Sequence, residues 1–175
     1  MIGDRVLDSQ IMFRHACSFA DCSYLCLDNL ENEEGTHYII PSIVNAAFAC
    51  EVFLKALLHF SGMSMEKMKI NGHTIDKLWD GLRKQDSHMI THIYSKIIKE
   101  YSVDMDQLEI LIKDMTDVFT KCRYYYEING VAVDLTFLYV FVDALKESCC
   151  EIINGTTWNE YISLEEESSV IDVEE

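Results

Sequence analysis

Only one proline and seven glycines are spread through these 175 residues, so there are few places where a helix has to stop. Proline removes an amide donor and clashes with the preceding turn, and glycine costs backbone entropy inside a helix. A chain this poor in both can sustain long helices, whereas a strand-rich fold needs turn signals at short intervals. The expected fold class is all-α. An apolar fraction of 49 % beside a charged fraction of 25 % matches an ordinary globular domain. At this length a single core can bury about two-thirds of the unfolded surface.

Hydrophobic periodicity places the helices. From Arg5 to Leu30, the residues Val6, Ile11, Phe13, Cys17, Ala20, Tyr24 and Leu27 recur at three- and four-residue steps. A polar, glycine-terminated connection, Glu31 to Gly35, then predicts a helical hairpin. The second helix is expected from Pro41 to Phe60, with Pro41 in the first turn, where a missing amide proton costs nothing. Its apolar residues surround it, which marks a central helix. The apolar stretch Ile43 to Leu58 falls short of the roughly 20 residues that cross a bilayer and carries Asn45, Glu51 and Lys55. No membrane span is expected.

Ser61 to Gly72 reads as a loop. Further helices are predicted from Thr74, from His88 to Tyr101, from Asp104 to Ile128 and from Val131 to Ile153. The β-formers at the start of the last one leave a strand there as the alternative. Asn129-Gly130 and Asn154-Gly155 are stop signals. The expectation is therefore one domain of five to six helices over 1–155. An acidic tail follows over 156–175, mobile or docked through Trp158, Tyr161 and Ile162.

Charge narrows the partners. The formal net charge is −16, and a phosphate backbone is normally met by an excess of Lys and Arg, so binding to nucleotide or RNA is disfavoured. Seven acidic residues crowd the last sixteen positions, which hold no Lys or Arg. The seven cysteines lie in helical patterns without a paired Cys-x-x-Cys unit and are read as reduced. No secretory signal is visible in Met1-Ile2-Gly3-Asp4-Arg5, and a cytoplasmic location is expected. His88 and His92 stand one turn apart, but no carboxylate set accompanies them, and neither metal nor cofactor is expected.

The residues that stand out are charges on apolar helices. Glu51 and Lys55 are four apart in the second helix, and Arg123 and Glu127 repeat that spacing beside Tyr124. Burying one such charge unpaired costs several kcal/mol, so an inter-helical network is expected, with Glu51 meeting Arg123 and Lys55 meeting Glu127 or another carboxylate. That network either fixes helix register or lines a cleft where Lys55 or Arg123 grips an anion. Arg83 and His88 form an Arg-x4-His in a polar stretch, and His73 precedes a helix start.

Three segments in order carry a resemblance: Ala46-Ala47-Phe48-Ala49-Cys50-Glu51-Val52-Phe53-Leu54-Lys55-Ala56-Leu57-Leu58, then Gly72-His73-Thr74-Ile75-Asp76-Lys77-Leu78, then Arg123-Tyr124. Over residues 10–150 the chain resembles the HEPN superfamily of higher eukaryote and prokaryote nucleotide-binding domains. The resemblance implies an up-and-down helical bundle, a homodimer, and a role in toxin–antitoxin modules, defence systems or RNA processing. Many members of that superfamily are metal-independent RNases in which an Arg stabilises the phosphorane and a His moves a proton. Here the residues after Arg123 run Tyr124-Tyr125-Tyr126-Glu127-Ile128-Asn129-Gly130 and contain no His. The leading expectation is a non-catalytic interaction module that binds a protein partner or a nucleotide. The alternatives are a metal-independent endoribonuclease using Arg83 and His88, or Arg123 with a tyrosine or a His from elsewhere, and an acidic antitoxin or inhibitor acting through Glu160 to Glu175.

Overall fold

The computed structural model describes residues 2–31, 35–70, 74–116, 121–122 and 133–171. Among them are eight α-helices and no strand. They are α1 Ile2–Asp28, α2 Ile39–Phe60, α3 Met65–Ile70, α4 Ile75–Gln85, α5 Ser87–Glu100, α6 Met105–Met115, α7 Leu135–Cys149 and α8 Trp158–Ile171. Short 3-10 turns, Asn29–Glu31 and Gly35–Tyr38, flank the connection between α1 and α2. The all-α reading holds, with more helices than the five to six expected. One addition is α3, whose polar sequence had read as loop; the other is α8, inside the acidic tail.

The first two helices form the expected hairpin. Its contacts pair the start of α1 with the end of α2: the Arg5 guanidinium lies against Gly62, Asp8 meets His59, Phe13 packs on Phe53 and Phe19 on Phe48. Gly62 takes φ +105°, and a Cβ there would sit 3.1 Å from the Arg5 guanidinium, so only glycine suits the position. The seam consists of small residues at alternating four- and three-residue steps. Ser9, Phe13, Ala16, Ala20 and Ser23 of α1 are sealed from solvent, opposite Ser42, Ala46, Ala49, Phe53 and Ala56 of α2. Short side chains at this spacing let two helices pack closely along their length. The buried hydroxyls cost little, because Ser9 Oγ donates to Arg5 O at 2.9 Å and Ser23 Oγ to Ala20 O at 2.7 Å.

This seam corrects the face read from periodicity. Of the α1 residues assigned to the core, only Phe13 and Ala20 are fully buried, and Ile11 is 37 % exposed. Hydrophobicity alone overlooks Ser9, Ala16 and Ser23, because a close helix contact selects for smallness.

Helix α2 is central, packed against α1, α4 and α7. Its 22 residues are long and apolar enough to cross a bilayer by length and composition, which corrects the shorter span read from the sequence; 67 % of its apolar window is buried inside the fold. Trp79 of α4 and Phe137 and Phe141 of α7 fill the space beside it. Aspartates start three helices: Asp86 accepts from His88 N and Met89 N, Asp104 forms a capping box with Gln107, and Asp134 accepts from Phe137 N. The described residues take the fifth expected helix, Asp104 to Ile128, as far as Met115, with Lys121 and Cys122 again helical. Helix α7 runs into a π-helical turn, Cys150–Asn154, and ends at Gly155, left-handed at φ 72° as a stop signal requires.

Candidate functional site

Two of the residues singled out from the sequence meet on α2. Lys55 Nζ donates to Glu51 Oε1 at 2.6 Å; the Lys55 side chain keeps 19 % of its surface and that of Glu51 only 2 %. The four-residue spacing puts both on one face, so the lysine offsets the desolvation of a carboxylate in the middle of the core. One turn on, His59 Nδ1 donates to Met63 O at 3.2 Å, while Nε2 lies 3.7 Å from Asp8. Glu51, Lys55 and His59 therefore form a polar stripe leading from the core to the open end of the hairpin. Arg123 and Glu127, the other expected members of the network, lie outside the described residues, as do His73 and Tyr124.

Arg83 and His88 go to different partners. The Arg83 guanidinium lies 2.7 Å from Asp80 and also bonds to Glu109 across on α6. His88 is exposed in the first turn of α5, where its backbone N–H is held by Asp86 at 3.0 Å. A guanidinium already matched to two carboxylates has little left for a phosphoryl group. The surrounding cleft of about 580 Å³ adds Asp76 and Asp106, which repel an anion further.

A second polar constellation crosses from α5 to the end of α7. His92 Nε2 donates to Glu151 Oε2 at 2.7 Å, and Lys96 Nζ donates to Glu151 Oε1 at 2.7 Å and to Glu147 Oε2 at 3.2 Å. Burial works to lower the Lys96 pKa, but the bonds to Glu151 and Glu147 outweigh it and hold the ammonium above its ordinary value. For Glu151, burial pushes upward and the bonds from Lys96 and His92 prevail, leaving it below the usual carboxylate range. Its π-helical setting is one that often marks functional positions in helices. Sequence reasoning missed this ladder, although its signal was present. His92 and Lys96 stand four apart, Glu147 and Glu151 stand four apart, and the two pairs carry opposite charge.

Lys96 and Glu147 also line the larger cleft, of about 690 Å³, between the ends of α1 and α5 and the outer face of α7. Tyr24, Leu27, Leu135, Tyr139 and Val140 give it an apolar, aromatic lining, with Lys99, Glu100 and Asp143 also lining it. That volume suits a small ligand. The Tyr24 and Tyr139 rings lie 5.1 Å apart. Tyr139 is fixed by hydroxyl contacts to Ser42 and to Ser23 O, which tie α7 to both arms of the hairpin. The Tyr24 hydroxyl is sealed from solvent without a well-formed hydrogen bond; burial raises its pKa and the adjacent Asp143 carboxylate raises it further. Among the described residues no cluster of three or more His, Cys, Asp or Glu is placed to hold a metal ion, and all seven cysteines are free thiols. No protein family, curated protein or solved structure matches the chain.

Proposed function

We propose that this protein is a HEPN-like helical interaction module, non-catalytic and dimeric. In this reading it serves a prokaryotic defence, toxin–antitoxin or stress system from the cytoplasm, binding a protein partner or a nucleotide. The observation that carries the reading is the Glu51–Lys55 pair inside the central helix, on the two charged positions of the motif that brought the resemblance. The commitment of Arg83 to Asp80 and Glu109 supports the non-catalytic side of it.

Incubation with mixed RNAs in EDTA tests catalysis, and light scattering on the eluting protein tests dimerisation. The expected outcome is intact RNA and a mass of two chains. RNA cleavage that disappears in Arg83→Ala or His88→Ala would overturn the proposal in favour of a metal-independent endoribonuclease.

The inhibitor reading draws on α8, whose side chains from Ile162 to Glu165 are all exposed. There the acidic segment from Glu160 onward enters a basic groove on its partner, by charge complementarity. Removal of 156–175 should then abolish partner binding and leave the helical circular dichroism unchanged. Binding that survives the truncation rules this reading out.

A further inference from the structure

Helix α8 meets the bundle through its first turn. Trp158 and Tyr161 stack on each other at 5.7 Å, 15° from parallel, and both present edges to Phe13, at 6.3 and 5.4 Å. Phe13 is fully covered, whereas the side chains of Ile162, Ser163, Leu164 and Glu165 all lie open to solvent. The helix follows the left-handed Gly155, a natural pivot. Its second attachment is a cation. Lys146 of α7 places its ammonium 5.0 Å from the centre of the Trp158 ring and 5.5 Å from that of Tyr24, and donates to Asp143 Oδ1 at 2.8 Å. An ammonium between two aromatic faces is attracted by both, and the lysine side chain here is only 13 % exposed.

Two of the three groups that hold Lys146, Tyr24 and Asp143, also line the 690 Å³ cleft. We propose that α8 is a releasable strap latched by Lys146, and that the latch is shared with the cleft through Tyr24 and Asp143. A cleft occupant that engages the Asp143 carboxylate or displaces the Tyr24 ring withdraws the support that keeps the ammonium against Trp158. Release of the strap uncovers Phe13 and frees the acidic helix. The coupling is a competition for one cation, needs no change in the α1–α2 seam, and does not depend on the HEPN-like reading.

Hydrogen–deuterium exchange read by mass spectrometry on the full chain tests it, with the amides of α2 as the internal measure of intact folding. In Lys146→Met, which keeps the stem and removes the charge, exchange over residues 158–165 should rise about tenfold while α2 stays protected. Lys146→Arg, which restores a cation, should return most of the protection. Asp143→Asn, altered on the cleft side, should raise exchange in the same segment by a smaller factor. Unchanged exchange over 158–165 in Lys146→Met overturns the latch, as does equal loss of protection in Lys146→Met and Lys146→Arg. Unchanged exchange in Asp143→Asn overturns its connection to the cleft.

Discussion

Along the centre of the α1–α2 seam the facing residues are serines, alanines and the Phe13–Phe53 pair, all closed to water. At the outer edge of the α5–α7 contact the facing residues are His92, Lys96, Glu147 and Glu151, and three of these keep about a third to a half of their side-chain surface. Both contacts join helices, but with different energetics. The dry seam gains from area removed from water and from shape, so it is strong and fixed in register. The charged ladder exchanges hydration for ion pairs at little net gain, so it can be rearranged cheaply. The stable part of the molecule and its adjustable part are thus separate, and the larger cleft lies beside the adjustable one.

The most damaging test of this contrast is Phe53→Ala in the seam, which should cost about 3–5 kcal/mol in urea denaturation. A loss under 1 kcal/mol would mean that the seam is not the main source of stability. Overfilling comes next: Ala20→Leu, at a fully buried position in the seam, should cost about 1–3 kcal/mol. Near-neutrality there would show that the helices are not in close contact. On the ladder, Glu151→Gln should cost no more than about 1 kcal/mol and less in high salt. A salt-independent loss of seam-like size would erase the distinction.

The smallest effect is the pH dependence of that last difference. The Glu151 pKa is held below the usual carboxylate range in the folded state, so its contribution is present above the unfolded value and lost as pH falls through the folded one. Lys96, held above its ordinary value, contributes below the unfolded lysine value and loses that contribution only as pH rises through its folded one. The stability gap between wild type and Glu151→Gln should therefore close in the acid range. A gap that stayed open there would refute the assignment of Glu151 as the ladder's acceptor.

Local chemistry made much of the helical framework legible. The helix starts expected at His88 and Asp104, the stop at Asn154-Gly155 and the apolar run of α2 rest on signals carried by a few adjacent residues, and the helices begin and end close to them. The shared face of Glu51 and Lys55 was legible for the same reason, since both sit on one helix, but their bond to each other was not: the spacing had sent them to partners on another helix. The α1 face was misread because its buried members are small and two are hydroxylated. The ladder went unread because its partners are more than fifty residues apart in the chain, and spacing within one helix says nothing about which other helix will face it. Arg83-x4-His88 shows the converse limit, since the spacing gave no sign that Arg83 bonds to Asp80 and Glu109.

The turn at Cys150–Asn154 holds one residue more than an α-turn would over the same rise. Deleting a residue there is a change that the hydrogen bonding can absorb, since plain α-helix remains. Direction is kept as well, because five residues of π-turn and four of α-helix carry the chain through about the same angle and rise, and Trp158 stays at the edge of Phe13. Chain length can change by one residue here without re-aiming the C-terminal helix, whereas the same deletion elsewhere in α7 would rotate everything downstream by about 100°.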